Sequence, residues 1–193
     1  MRKQNYIVQP NHKDTRLFNA LRCCNHLSRE QATSIVSAHR LGSYIKQGVI
    51  ERLNAITPQG QTIEVYTLTS NGRSWIDKNI PELRHQSYYT SATAPLHNIA
   101  LTEQYLQPSR GDWLTERELR SILMDSINER DNAAELLELL RNGAISVPDG
   151  GYRNAEGHIE CVEIINSHYG TAEIAAKEAF TELTGLSIDY VRQ

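Results

Sequence analysis

Several acidic residues in the second half of the sequence have the types and spacing of a divalent-cation site. Glu160 lies eleven residues after Asp149, and Glu163 follows three residues later. If these segments form a β-hairpin, Asp149 lies close to Glu160 or Glu163, and two converging carboxylates would hold Mg²⁺ through their oxygens. An acid from a preceding helix, Glu116 or Glu118, would join them. The pattern fits metal-dependent phosphodiester hydrolysis, and it also fits a solvated strand edge with a turn aspartate.

Phosphodiester hydrolysis would also require a cation near the attacking water, which is commonly a lysine. Lys177 is the only lysine after Lys78, and it lies on the last predicted helix. The phosphate-binding, dinucleotide-binding, zinc-protease and nucleophile-elbow motifs are absent from the sequence. His158, Cys161 and His168 lack the paired spacing of a zinc site, so we expect no zinc.

Length and composition favour two small domains over one large domain. The chain has 193 residues, of which 39% are hydrophobic and 22% are charged. It contains no apolar stretch long enough for a transmembrane helix, and its N-terminus lacks the apolar region of a secretory signal. Its three cysteines do not form a disulfide framework. We therefore expect a reduced, cytoplasmic protein without a membrane partner.

The net charge of −3 is distributed unevenly along the chain. Residues 1–86 carry twelve lysines and arginines and six acids, a net charge of +6. Residues 87–193 carry eight and seventeen, a net charge of −9. Positive potential favours nucleic acid through attraction to phosphates and counterion release. The basic half is therefore expected to bind duplex DNA, whereas the acidic half would repel DNA unless it binds a metal or a protein.

Three helices are predicted at the start of the basic half. Ser28 and Gln31 have the spacing of a capping box at the start of the second helix. Gly48 ends the third helix, in the left-handed conformation that glycine favours. Apolar spacing places these helices at residues 13–25, 29–35 and 38–47.

A β-hairpin is predicted directly after the three helices. Segments 49–56 and 63–68 flank a turn that contains proline and glycine, and a further helix follows over 72–79. This order of elements is that of a winged helix-turn-helix, whose third helix enters the major groove while the hairpin flanks the backbone. The Y-x-L-T-x-x-G sequence at 66–72 resembles the end of the wing in many bacterial regulators.

The third helix and the hairpin supply the candidate DNA contacts. Arg40 is expected to read guanine, while Lys46 and Arg52 contact phosphates. The alternative for each of these side chains is a solvated surface charge. The complete set of candidate DNA-binding residues is Ser37, His39, Arg40, Ser43, Tyr44, Lys46, Arg52 and Gln59.

The acidic half is predicted to form a small α/β domain over 111–193. A linker over 83–110 contains a helix at 95–107 and connects this domain to the winged helix of residues 1–82. The remaining predicted elements are helices over 116–128, 131–141 and 172–183, strands over 145–148 and 159–165, and a turn at 149–151.

Three short motifs follow one another in the acidic half: W-x-x-E-x-E-L-R, then P-D-G, then a strand ending in V-E. With a lysine on the next helix, this order resembles the replication-relaxation family of bacterial plasmid and mobile-element proteins. The resemblance implies an N-terminal winged helix and a C-terminal domain similar to PD-(D/E)xK nucleases, with Glu116, Asp149, Glu163 and Lys177 as catalytic candidates. Asp149 and Glu163 would be the metal ligands. The matching residues are Trp113, Glu116, Glu118, Leu119, Arg120, Pro148, Asp149, Gly150, Val162 and Glu163, with Lys177 as the downstream lysine.

The chain departs from the nuclease pattern at one position. That pattern has a lysine two residues after its glutamate, but Glu163 is followed by Ile164 and Ile165. Lys177 would have to reach the site from the last helix. We therefore expect an α+β protein in which a winged helix-turn-helix precedes a degenerate nuclease-like domain without nuclease activity.

Three functions remain open from the sequence. The preferred one is a DNA-binding regulator of a plasmid, phage or other mobile element, which requires no cofactor and acts in transcription regulation or replication. It would bind duplex DNA as a homodimer, with the acidic domain serving dimerisation or protein contacts. The second is a metal-dependent endonuclease or nickase that uses Mg²⁺. The third is an adaptor whose winged helix binds a replication or host protein.

Overall fold

The protein has a mixed α+β fold. The computed structural model describes residues 9–84, 86, 88, 94–167 and 169–193, and these contain eight α-helices, one short 3-10 helix and two β-sheets. The chain divides into a first unit that ends at Glu103 and a second unit that begins at Gln104. Within the described residues, no helix combines the length and the apolar composition needed to cross a bilayer.

Four helices of the first unit are defined by side-chain caps. The predicted capping box is confirmed, since Ser28 Oγ accepts from the Gln31 amide at 3.2 Å and Gln31 Oε1 accepts from the Ser28 amide at 2.9 Å. Gly48 follows the third helix with a φ of 66°, as predicted for a residue in the left-handed region. The helices are α1 (His12–Cys24), α2 (Arg29–Ile35), α3 (Ala38–Lys46) and α4 (Ser70–Asn79), and a 3-10 helix (Pro81–Leu83) follows.

The sheet of the first unit consists of the predicted hairpin and one additional short strand. The strands are β1 (Leu27–Ser28), β2 (Ile50–Ile56) and β3 (Thr62–Leu68), in the order β1-β3-β2 with antiparallel pairing. The sequence did not predict β1, because two residues are too few to show the alternation of a strand.

An aromatic cluster holds α3 in the first unit. The Tyr44 ring contacts Phe18 with a centroid distance of 4.8 Å and Trp75 with a centroid distance of 5.3 Å, both edge-on. Tyr44 is 0% exposed. The prediction that Tyr44 contacts DNA is therefore wrong. Its position three residues after Leu41 places both side chains on the buried face of the helix.

Helix α5 (Pro95–Tyr105) begins within the segment predicted to link the two domains. Its Asn98 and Thr102 are buried in the first unit. Asn98 Nδ2 lies 2.9 Å from His26 Nδ1, and the Thr102 hydroxyl donates to the His26 carbonyl at 2.8 Å. These bonds tie the first part of the predicted linker to the turn between α1 and α2.

The second unit is a four-stranded sheet with helices packed on it. The strands lie in the order β4-β5-β6-β7, antiparallel except for β6 and β7, which are parallel and joined through α8. The core packs α6 and α8 against the sheet around Leu119, Leu123 and Phe180. The elements are β4 (Trp113–Thr115), α6 (Glu116–Asn128), α7 (Ala133–Arg141), β5 (Gly150–Arg153), β6 (Ile159–Ile165), α8 (Thr171–Thr184) and β7 (Ser187–Arg192).

Two predictions for the second unit are wrong. Residues 145–148 are not a strand, although Ile145 and Val147 are buried in the core, because their backbone bonds go to helices and not to a neighbouring strand. The Ser146 amide, for example, donates to the Ala176 carbonyl of α8 at 3.0 Å. The segment 149–151 is not wholly a turn, since Gly150 begins β5. The glycine is required by packing across the sheet: a Cβ at this position would lie 2.6 Å from the Trp113 ring.

Candidate functional sites

The exposed face of α3 carries three of the predicted DNA-binding residues, and a fourth is half-buried. Ser37 caps the helix by accepting from the Arg40 amide at 3.3 Å, and its side chain remains at the surface. His39 and Lys46 are exposed near the two ends of the helix, and Ser43 is half-buried between them. This face therefore offers hydroxyl, imidazole and ammonium groups to an external partner.

Arg40 is bound within the protein. Its Nε and Nη2 atoms donate to the two Asp14 carboxylate oxygens, each at 2.5 Å, and Nη2 also donates to the Gln9 carbonyl at 3.2 Å. Asp14 is fully buried. The expectation that Arg40 reads guanine is corrected, because its guanidinium is already engaged in a bidentate pair with a buried carboxylate.

The hairpin presents the other two predicted DNA contacts. Arg52 pairs with Glu64 at 3.1 Å, and Arg29 pairs with the same carboxylate at 3.4 Å. Both arginines are largely exposed, and exposed pairs of this kind contribute only about 0–1 kcal/mol, so Arg52 can exchange its partner. Gln59 is exposed in the turn, three residues after Ile56, which is 70% exposed.

In the second unit, three predicted site residues from separate elements lie together. The backbone amide of Asp149 donates to Glu163 Oε2 at 3.0 Å, and Asp149 Oδ2 accepts from the Ile164 amide at 2.8 Å. Lys177, on α8, forms an ion pair with Glu163 Oε2 at 2.8 Å and donates to the Val147 carbonyl at 2.6 Å. The lysine therefore reaches the glutamate from the helix.

This ion pair is buried. The side chain of Lys177 is 7% exposed and that of Glu163 is 5% exposed. The pKa of Glu163 is raised above its ordinary value, mainly by burial and then by the charge of Asp149. Lys177 and the Tyr169 hydroxyl oppose this rise but do not cancel it. A cavity of about 310 Å³ lies beside the pair, lined by Gly143, Ser146, Glu163, Tyr169, Ala172, Glu173, Ala176 and Lys177.

Tyr169 is a member of this group that the sequence analysis did not find. Its hydroxyl donates to Glu163 Oε1 at 2.8 Å. Burial, and then the charge of Glu163, raise the pKa of Tyr169, so the hydroxyl remains a donor at neutral pH. No motif in the sequence marks this tyrosine, because its contact depends on the loop between β6 and α8.

The structure places the other predicted acids elsewhere. Glu116 Oε1 accepts from Arg120 at 3.2 Å, and the Glu118 carboxylate accepts from the Thr115 amide at 2.7 Å as part of the α6 capping box. Glu160 accepts from the Tyr152 hydroxyl and from Asn154, and these bonds lower its pKa. Glu160 and Glu163 are three positions apart in β6, and side chains alternate along a strand, so the two carboxylates lie on opposite faces.

No metal-binding cluster is found among the described residues, where no three side chains of His, Cys, Asp or Glu lie close enough to hold an ion. Cys161 is buried, and burial raises its pKa to about 12, so it remains a neutral thiol. His158 is exposed beside Glu156. His168, the third residue considered for zinc, lies outside the described residues.

Comparison with known proteins gives no relative for this chain: no family model, curated protein or solved structure matches it.

Proposed function

We propose that the first unit binds duplex DNA through α3 and the β2–β3 hairpin, and that the chain is a DNA-binding regulator. The observation that carries the proposal is the order of elements, three capped helices followed by an antiparallel hairpin in a sheet of order β1-β3-β2. In a winged helix-turn-helix the third helix enters the major groove and the hairpin flanks the phosphate backbone. His39 would then approach base edges, and Lys46 and Arg52 would approach phosphates.

The charge of the two units supports this assignment. Up to Glu103 the chain carries twelve lysines and arginines and seven acids, a net charge of +5. From Gln104 it carries eight and sixteen, a net charge of −8. A polyanion is therefore attracted to the first unit and repelled by the second. We further propose that the chain acts as a homodimer on two half-sites, as a regulator of a plasmid, phage or other mobile element.

The test is selection from a random duplex library, followed by affinity measurements over a range of salt concentrations. Lys46→Gln is expected to weaken binding to all sequences alike and to make the negative slope of log K against log salt shallower by about 0.9, because one phosphate contact is lost. His39→Ala is expected to cost about 1–3 kcal/mol at one base position and to relax preference there. Lys78→Gln, which removes the same charge from the exposed face of α4, is the control and should leave the slope unchanged.

The selection also separates the alternatives. Enrichment of a repeated half-site supports a specific regulator, and the spacing of the half-sites gives the geometry of the dimer. No binding of the unchanged chain at low salt would overturn the proposal. The winged helix would then be assigned to contacts with a protein partner.

The second unit suggests a second candidate function, because Asp149, Glu163 and Lys177, three of the candidate residues for a nuclease-like site, lie together. The arrangement does not fit Mg²⁺ as it stands. Both Glu163 oxygens and Asp149 Oδ2 accept hydrogen bonds from protein groups, and Glu163 is buried. We therefore propose that the second unit is a degenerate domain similar to PD-(D/E)xK nucleases, as the resemblance to the replication-relaxation family implies. We propose separately that it serves dimerisation or protein contacts.

Incubation of the chain with supercoiled plasmid in Mg²⁺ or Mn²⁺ tests the absence of nuclease activity. No nicking or linearisation above that of a metal-free sample is expected. Cleavage that is lost in Asp149→Asn and Glu163→Gln, but retained in the control variant Glu138→Gln, would instead establish a metal-dependent endonuclease. Glu138 is a suitable control because its exposed carboxylate pairs with Arg141 on α7 and it is not a candidate site residue.

A further inference from the structure

Two charged side chains connect α1 to α3 in the first unit. Asp14, in the first turn of α1, is fully buried and accepts from Arg40 Nε and Nη2 at 2.5 Å each. Its carboxylate also accepts from the Asn11 amide at 2.7 Å, which completes the capping box of α1. One carboxylate therefore ties the start of α1 to the first half of α3. We call this pair the Asp14–Arg40 clamp.

The clamp acts on the orientation of α3 about its own axis. The helix has only nine residues, and Leu41 and Tyr44 are its buried side chains. Tyr44 contacts Phe18, which lies one turn after Asp14 on α1. Apolar contacts are not directional, whereas a bidentate pair between a guanidinium and a carboxylate has a fixed planar geometry. The clamp therefore adds a directional restraint on the rotation of the helix to the packing of its buried face.

We propose that Arg40 is a positioning residue, which contacts no DNA and sets where His39 and Lys46 point through its bond to Asp14. This inference rests on the proposed function of the first unit. It assigns to Arg40 a role different from base reading, since two nitrogens of its guanidinium are bound by an Asp14 carboxylate that is 0% exposed. It also assigns a role in DNA binding to an acidic residue, Asp14, which a phosphate would repel.

Asp14→Asn and Arg40→Gln test the clamp in a double-mutant cycle of duplex affinity. Each single change is expected to weaken binding about tenfold, on the order of one charged hydrogen-bonding pair, and the double change should weaken it no further. The slope of log K against log salt should stay the same in Arg40→Gln, because no phosphate contact is removed. Arg141→Gln, which breaks an exposed pair with Glu138 in the second unit, controls for the loss of one positive charge.

Arg40→Lys provides a readout that separates positioning from direct contact. Lysine keeps the charge but lacks the planar fork, so the clamp predicts weakened binding, whereas a phosphate contact predicts retained binding. Circular dichroism and cooperative unfolding establish that each variant is folded. Asn at position 14 retains a side-chain oxygen that can accept from the Asn11 amide, so the α1 cap can remain.

Two results would overturn the inference while leaving the proposed function intact. In the first, Asp14→Asn binds DNA at least as tightly as the unchanged chain, and Arg40→Gln makes the negative salt slope shallower by about 0.9, as loss of a phosphate contact would. The second is unchanged affinity in all of the clamp variants. Failure of the unchanged chain to bind duplex DNA at low salt is a distinguishable result, and it would overturn the proposed function together with the inference.

Discussion

Replacing Lys177 by methionine is expected to lower the free energy of unfolding of the second unit by about 3–5 kcal/mol at neutral pH. The ammonium group of Lys177 lies 2.8 Å from Glu163, and both side chains are more than nine-tenths buried. Removing one partner leaves a buried carboxylate beside the second carboxylate of Asp149. The urea dependence of hydrogen exchange at the amides of β6 (Ile159–Ile165) measures the effect.

The loss of stability caused by Lys177→Met is expected to depend on pH. In the folded protein the pKa of Glu163 is raised by burial and by Asp149, and Lys177 opposes this rise, so the lysine's removal raises the pKa further. A carboxyl group with a raised folded pKa stabilises the protein below its unfolded pKa, and this contribution is lost as pH rises through the folded value. The variant should therefore be least affected below about pH 4.5, the ordinary value for glutamate, and most affected above the folded pKa.

Glu163→Gln in the Lys177→Met background is the matched control. Glutamine keeps an oxygen that can accept from Tyr169 or from the Asp149 amide but carries no charge, so most of the lost stability should return. If the double variant is as unstable as Lys177→Met at every pH, the loss of stability comes from lost packing of the lysine's aliphatic stem and not from the uncompensated charge of Glu163.

Replacing Gly72 by alanine is expected to lower the free energy of unfolding of the first unit by about 3 kcal/mol, at the upper end of the usual cost of overpacking. A Cβ at this position would lie 2.1 Å from the Val49 carbonyl oxygen, which is backbone and cannot move as a side-chain end can. The Gly72 amide also donates to Thr69 Oγ1 at 2.9 Å. A shift that relieves the clash would therefore disturb the cap of α4 and its junction with the hairpin.

Gly42→Ala is the control for this substitution. Gly42 lies inside α3, and a Cβ there meets no atom within 4 Å. Alanine should therefore raise stability by about 0.5–1 kcal/mol, because it reduces the backbone entropy of the unfolded chain. Urea unfolding of both variants measures the difference. A cost below about 1 kcal/mol for Gly72→Ala would show that the chain near Val49 relaxes easily around an added methyl group.

The local elements of the first unit could be predicted because their signals are local. Ser28 and Gln31 show the start of α2 within four residues, and the turn at 57–60 shows the hairpin between two β-branched segments. Cap geometry and turn chemistry depend on neighbouring residues alone. The short strands β1 and β4 have no such signal, because they form only where the partner strand is supplied by a distant part of the chain.

The sequence predicted the helices and strands better than it predicted which of their side chains face the core and which face the solvent. Tyr44 and Arg40 are both on the predicted third helix, but one is buried against Phe18 and the other binds Asp14. Neither partner can be identified by spacing along α3. The assignment of exposed His39 and Lys46 to DNA contacts stays a prediction, and the same is true of Arg52 and Gln59 in the hairpin.

The sequence by itself determined the α+β class, the charge difference between the halves, and which acids and lysine are candidates for a site in the second half. Only the tertiary structure decided which of them meet. Parallel pairing of β6 with β7 requires a crossover, which α8 supplies, and this crossover places Lys177 against Glu163 although they are fourteen positions apart in the chain. The alternation of β6 separates Glu160 from Glu163, which are only three residues apart.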